Sequence, residues 1–276
     1  MGSVRATTDV LEVPGAGLYY EVRGSGPALL LIPGAGGDAG VYDEVADLLA
    51  DSFTVLTYDR RGNSRSTLRT SAETLSVADQ SDDARRLIQA LGSDPAYVMG
   101  SGAGAVIAFD LIARYPGVVR LLIAHDPGVL DVLPDAQAQR DRANQMTEFY
   151  LREGPAAAAE KLLAAVGAHR PDAAPMLNNE LAQRLTSNPE LTFVHETRMI
   201  CSATTDIPAL ASAASRIVIA VGSSEPTSHP YRSGRIIAEL TGATFVEVPG
   251  DHWTFLTAPT VFAESLREIL TEPRRT

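Results

Sequence analysis

The sequence predicts an α/β fold: a mostly parallel, doubly wound sheet with an inserted helical lid. Three observations carry that expectation. Short apolar runs alternate with helical patterns through the first half of the chain. The alternation stops between about Leu130 and Ala209, where the pattern is helical throughout, and then resumes. Glycine-rich turns follow several of the apolar runs, at the strand-to-helix junctions where open sheets of this kind bind ligands.

Taken in order, Val10 to Val13 and Leu18 to Val22 are short runs rich in strand-forming residues. Ala28 to Ile32 is continuously apolar, the mark of a strand buried on both faces. The Pro33 to Gly37 turn and a helix from Val41 to Leu49 follow. Phe53 to Tyr58 is the next strand and ends in the polar loop Asp59-Arg60-Arg61-Gly62-Asn63-Ser64. Ala78 to Leu91 reads as an amphipathic helix. A strand at Ala96 to Met99, a helix ending at Tyr115 and a strand at Val119 to Ala124 complete the first half. The middle block is read as helices at Ala143 to Leu151, Pro155 to Val166 and Asn179 to Leu185. Strands at Ile217 to Val221 and Ala243 to Val248, with helices at Ser233 to Leu240 and Val261 to Leu270, close the pattern. The expected organisation is one α/β core of residues 1–129 and 210–276, with residues 130–209 as the lid.

Composition limits the function classes. The 276 residues are 45% hydrophobic, enough to bury a core, and the formal net charge is −11. That charge argues against nucleic acid or an anionic membrane as partner, since both are bound by basic patches. A small-molecule substrate is the expected partner, and the sequence does not give an oligomeric state. The single cysteine, Cys201, excludes a disulfide framework. The start of the chain lacks the apolar core of a signal peptide, and no apolar run is long enough to span a bilayer. A soluble, cytoplasmic protein is therefore expected.

The chemistry concentrates in four places at predicted strand ends. Gly100-Ser101-Gly102-Ala103-Gly104 lies between a strand and a helix, the setting of the nucleophile elbow G-x-S-x-G. Its middle position is Gly102, which has no side chain with which to attack a carbonyl. Ser101 is one position away, and a sharp turn should aim it elsewhere. Pro33-Gly34-Ala35-Gly36-Gly37 could present backbone N–H groups to a developing oxyanion, although taken alone an ordinary tight turn is the better explanation. Gly250-Asp251-His252-Trp253 follows the last strand, where a general base would be presented. Asp126 and Glu225 each follow a strand and could orient His252. His125, His169, His195 and His229 lack metal-ligand spacing, and His195-Glu196 has no second histidine four residues on, so no metal or other cofactor is expected. A competing pattern, Gly100-x-Gly102-x-x-Ala105 with Asp126 about 20 residues on, matches the dinucleotide fingerprint. It comes late in the chain and leaves the Pro33 and His252 turns unexplained.

Together these segments resemble the α/β-hydrolase family. Leu30 to Gly37 resembles its oxyanion loop, with Pro33 where many members have histidine. Tyr58 to Ser66 is similar to the loop after the following strand, Met99 to Ala105 to the elbow, and Pro249 to His252 to the histidine loop. His125-Asp126-Pro127 resembles the histidine–acid–proline segment of a bacterial subgroup of esterases and lactonases. The resemblance implies that Ala35 and Ala103 supply oxyanion-hole N–H groups and that His252 is the base. It also implies that Gly34, Gly36, Ser101 and Trp253 line the substrate site. The acid is Glu225 by one branch of the family and Asp126 by another, and the histidine–acid–proline segment favours Asp126. The departure is Gly102, where the family has serine, or aspartate in dehalogenases and epoxide hydrolases.

Gly102 therefore admits three readings. It replaces a serine in an esterase or lactonase, as in an engineered trapping form. It is natural, and His252 serves non-covalent chemistry such as cyclisation, elimination or carbon–carbon cleavage. Or the chain is a ligand-binding pseudoenzyme. An intact histidine–acid pair favours the first two. Met146, Phe149, Tyr150, Met176, Phe193 and Met199 in the middle block suggest an apolar substrate if some of them face the cleft.

Overall fold

The computed structural model describes residues 5–34, 36–92, 95–165, 179–185 and 187–272. Nine strands form one sheet among them. They are β1 (Thr7–Val13), β2 (Ala16–Arg23), β3 (Ala28–Ile32), β4 (Thr54–Tyr58), β5 (Thr67–Leu68), β6 (Ala96–Ser101), β7 (Val119–His125), β8 (Ile217–Gly222) and β9 (Thr244–Val248). The order across the sheet is β1-β2-β4-β3-β6-β7-β8-β9, and the two-residue β5 pairs with β2. β1 and β2 run antiparallel to their neighbours, whereas β4, β3, β6, β7, β8 and β9 are mutually parallel. The strand order reverses on either side of β3, and the glycine-rich and histidine-bearing loops leave the carboxyl ends of the central strands, where open sheets of this kind bind ligands.

The central strands are apolar throughout because both faces are covered. On β3, Leu30 and Ile32 pack into one layer while Leu29 and Leu31 pack into the other. On β8, Ile217, Ile219 and Val221 face the first layer and Val218 and Ala220 the second. That is the two-residue strand period split between two cores. The first layer is capped by α2 (Val77–Ala90), α3 (Ala103–Arg114), α8 (Ile207–Ser212) and α9 (His229–Thr241). The second is capped by α1 (Asp43–Leu49), α10 (Thr254–Thr257) and α11 (Pro259–Thr271). Ser76 caps α2 by accepting from the Asp79 N–H, and Ser228 caps α9 by accepting from Tyr231.

Between β7 and β8 the chain leaves the sheet. This stretch carries α4 (Ala136–Glu153), α5 (Pro155–Ala165), α6 (Asn179–Leu185), a π-helical turn (Leu191–Glu196) and α7 (Thr197–Cys201), and α8 leads back to the sheet. α4 begins well before the expected Ala143. Its first two turns are polar and the whole helix buries only Gln139 and Met146, so little apolar periodicity marks its start. Met146, Ala158 and Phe193 form a small core of their own, with Tyr150 stacked on Phe193 at 5.5 Å. His169 and Met176 lie outside the described residues.

Charge ties this insertion to the sheet. Arg60, fully buried, donates to both carboxylate oxygens of Glu196 at 2.7 and 2.9 Å. It also donates to Gln80 Oε1 and to the Gly34 carbonyl, each at 2.7 Å. Asn63 Nδ2 adds a third bond to Glu196 at 2.9 Å. Arg184 on α6 grips Asp38 at 2.7 and 3.1 Å. π-Helical turns are rare and frequently mark functional positions; this one places Glu196 on the core loop. No helix among the described residues is long and apolar enough to cross a membrane.

Breaking the buried pair leaves a charge without a partner, which costs far more than the net worth of the pair. Glu196→Ala is expected to lower stability by about 3–5 kcal/mol in urea unfolding. A loss below about 1 kcal/mol, the range of surface pairs, would mean that the Arg60 contact does not hold the insertion.

Candidate active site

The turn after β6 is dictated by space. A Cβ on Gly100 would overlap the Gly104 carbonyl, and one on Gly104 would overlap the Ile32 carbonyl. Glycine at both positions lets α3 pack directly on β3 and β6. Between them Gly102 adopts φ 55° and ψ −114°, a conformation that side-chain-bearing residues rarely hold. The turn is fixed by bonds from Gly102 N–H to the His125 carbonyl (3.0 Å) and from the Ala105 and Gly128 N–H groups to the Gly102 carbonyl (3.1 and 3.3 Å).

This conformation aims the absent side chain at the histidine loop. A Cβ at Gly102 would lie 3.1 Å from His252 Cε1 and 3.3 Å from His252 Nε2. The far side of the imidazole faces a carboxylate: His252 Nδ1 is 3.3 Å from Asp126 Oδ2. Asp126 is 5% exposed and sits at φ 41°, in the left-handed region, with its N–H bonded to the Ala220 carbonyl and its Oδ1 accepting from Gly222 N–H at 3.0 Å. Burial alone would raise this carboxyl. The neighbouring His125 and His252 imidazoles and the Gly222 N–H outweigh it and hold the group at about 2. Of the two acids open in the sequence, Asp126 reaches His252. Glu225 lies half-buried in the loop after β8, where its carbonyl accepts from Ser228.

Ser101, expected to line the substrate site, turns inward instead. It is 1% exposed, and its Oγ lies 2.9 Å from His125 Nδ1. The strand period explains this, because adjacent residues at a strand end point to opposite sides. His125 Nε2 approaches Asp126 Oδ2 at 3.5 Å, so the carboxylate has an imidazole on each of two approaches. The His125 and His252 rings stack at 5.8 Å with planes 11° apart.

The ligand atoms of His125, Asp126 and His252 lie within 4.8 Å of one another, a grouping that the sequence spacing did not reveal. The two rings lie nearly parallel, 11° apart, and each turns one nitrogen toward the same oxygen, Asp126 Oδ2, at 3.5 and 3.3 Å; two N–H groups facing one carboxylate account for the grouping without a metal. The dinucleotide pattern meets a similar obstacle. The Asp126 carboxylate that would hold a ribose is spent on Gly222 and the two imidazoles.

Around the turn, Ala103 opens α3, so its N–H has no carbonyl four residues back in the helix to bond. A Cβ at Gly34 would meet the Ser101 carbonyl at 2.9 Å, so the glycine lets the two loops touch. Gly36 and Gly37 have φ 81° and 54°. Ala35 lies outside the described residues. Trp253 packs edge-on against His252 at 5.7 Å, and its backbone N–H donates to Asp251 Oδ1 at 2.9 Å. Sequence reading missed Arg60, Glu196 and Gly222. The only signal for the first two was charge in a stretch otherwise read as loop or helix, and Gly222 acts through its backbone.

The buried histidine gives a pH dependence. Burial, opposed by Asp126, pushes the His125 imidazole down to about 4 from its ordinary 6.5. Above pH 6.5 it is neutral in both folded and unfolded chains. Between 6.5 and 4 only the unfolded chain takes up the proton, so stability falls as pH falls, by about 3 kcal/mol in all. Asp126 acts lower: its stabilisation is present above 3.8 and is lost as pH drops toward 2. Unfolding free energy measured in urea should therefore decline from pH 7 to pH 4, and His125→Phe should flatten that decline. An equal decline in the variant would remove His125 as its source.

The comparisons with known proteins agree with this architecture. Residues 27–259 match the family described as alpha/beta hydrolase fold. An uncharacterized hydrolase of Bacillus subtilis, YraK, is 37% identical over 96% of this chain and 96% of its own length. A carboxylesterase from the thaumarchaeon Nitrososphaera gargenis superposes with a TM-score of 0.78 at 22% identity, over 95% of this chain and 97% of that one. The enol-lactonase of Burkholderia xenovorans LB400 gives 0.77 at 19% identity, over 96% and 100%. The chain belongs to the α/β-hydrolase fold family.

Proposed function

We propose that this chain is an ester- or lactone-hydrolase scaffold, taking a small and apolar substrate, whose nucleophile position is occupied by Gly102. The observation that carries the reading is the direction of the missing side chain. A Cβ at Gly102 would lie 3.3 Å from His252 Nε2, and the opposite ring nitrogen faces Asp126. A base oriented by a buried carboxylate and aimed at the elbow is the arrangement that activates a seryl hydroxyl. The kinship with YraK and the likeness to a carboxylesterase and an enol-lactonase support hydrolysis of such bonds over other chemistry.

With serine at position 102, the steps follow from the geometry. His252 Nε2 takes the hydroxyl proton as Oγ attacks the carbonyl carbon. Asp126 stabilises the imidazolium that forms, and the Ala103 N–H faces the oxyanion. The proton passes to the leaving alkoxide, and water, activated by the same imidazole, releases the acid. With glycine the base and acid remain, but no acyl-enzyme forms. The chain then binds its substrate under the helical insertion, which acts as the lid over residues 130–209, and turns it over slowly.

The test is Gly102→Ser assayed beside the unchanged chain on aryl esters and lactones. The expected gain in kcat is on the order of 10⁴ or more, with the gain lost in Gly102→Ser/His252→Ala. The backbone at φ 55° should cost the variant about 1–3 kcal/mol of stability in the same buffer. No gain in a folded variant would contradict the reading and turn the search to proton-transfer chemistry by His252 without a covalent intermediate.

A further inference from the structure

His125 plays no part in the proposed hydrolysis, yet it is built into the same cluster. It is 1% exposed and walled by the rings of Phe262 at 5.0 Å and Phe255 at 6.3 Å. An apolar aromatic ring would pack there as well. The polar features of this one are its Nδ1, against the Ser101 hydroxyl, and its Nε2, facing Asp126 Oδ2 with no hydrogen-bond partner of its own.

Elementary electrostatics chooses the tautomer. If the proton were on Nδ1, the Nε2 lone pair would face a buried carboxylate at 3.5 Å, which is repulsive. With the proton on Nε2, the N–H dipole points toward the anion and Nδ1 accepts from the Ser101 hydroxyl. At 3.5 Å the Nε2 approach is an electrostatic contact rather than a hydrogen bond. In so buried a place it still draws charge away from the carboxylate.

We propose that His125 is a positioning residue for the Asp126–His252 pair, its ring oriented by the Ser101 hydroxyl so that Nε2–H faces the carboxylate. Asp126 then divides its charge between two imidazoles. His125 limits how strongly the carboxylate stabilises a protonated His252. The titratable groups facing His125 are Asp126 after β7 and Asp251 and His252 from the loop after β9; from α10 and α11 the phenyl rings of Phe255 and Phe262 pack against it. The inference deepens the reading of His252 as base, but its test needs no turnover.

The test follows the imidazole resonances by NMR across pH in the chain as it is, with Gly102. The ¹⁵N shifts of His125 should report a proton on Nε2 and none on Nδ1 at neutral pH. The His252 titration midpoint should rise by about 0.5–1 unit in His125→Phe, which removes the donor. It should return most of the way in His125→Gln, which restores an N–H. Ser101→Ala, a small change at a buried position, should free the His125 tautomer and move the midpoint the same way. A proton on Nδ1 in the unchanged chain would overturn the proposal even if no variant folds. So would a midpoint unmoved in Ser101→Ala and in the His125 variants, the result that packing alone would give. If Gly102→Ser hydrolyses nothing while these shifts occur, the fault lies with the proposed substrate class and not with His125.

Discussion

One buried carboxylate organises the functional end of this molecule. Asp126 stands at the end of β7 in a backbone conformation that aspartate rarely adopts, and four neighbours hold it there. The Ala220 carbonyl accepts from its N–H and the Gly222 N–H donates to its Oδ1, so the loop is locked to β8. His252, from the loop after β9, and His125, from β7 itself, meet at its Oδ2. A buried anion left without these partners would be costly. The charge therefore fixes the relative placement of three strand ends that are distant in sequence, and the His252 imidazole is positioned as a consequence.

The glycine-rich elbow supplies the other half of the site, and its constraint is steric. Gly100 and Gly104 have no room for a Cβ, so α3 starts hard against the sheet and Gly102 must take its left-handed turn. Glycine holds that turn without strain, whereas a side chain at position 102 would be strained by φ 55° and crowded by the His252 ring. The turn thus presents Gly102, which has no side chain to attack with, toward His252, and the helical insertion is clamped to the core through Arg60 and Glu196. The clamp also reaches the Gly34 carbonyl, which makes the loop after β3 and the insertion parts of one hydrogen-bonded assembly.

Much of this was legible in the sequence, for identifiable reasons. The central strands were readable because burial on both faces leaves an unbroken apolar run, as in Ala28–Ile32 and Ile217–Gly222. The elbow and the histidine loop were readable because tight strand-to-helix turns demand glycine at fixed offsets. The start of α4 was not, since a helix that buries two residues leaves little pattern. The spacing alone left Asp126 and Glu225 both open as the partner of His252, and only the resemblance of His125-Asp126-Pro127 to a family segment favoured Asp126, the one that reaches it. The inward turn of Ser101 follows from the strand period once β6 is known to run through that residue. Glu196, 136 positions from Arg60, offered only its charge as a signal, and nothing local pairs it with Arg60.

The most direct measurement is intact-protein and peptide mass spectrometry after exposure to a fluorophosphonate, which phosphonylates an activated serine. The account predicts a single adduct at position 102 in Gly102→Ser, lost with His252→Ala, and none in the unchanged chain. An adduct on Ser101 in the unchanged chain, or a folded Gly102→Ser variant that takes up no label, would contradict it.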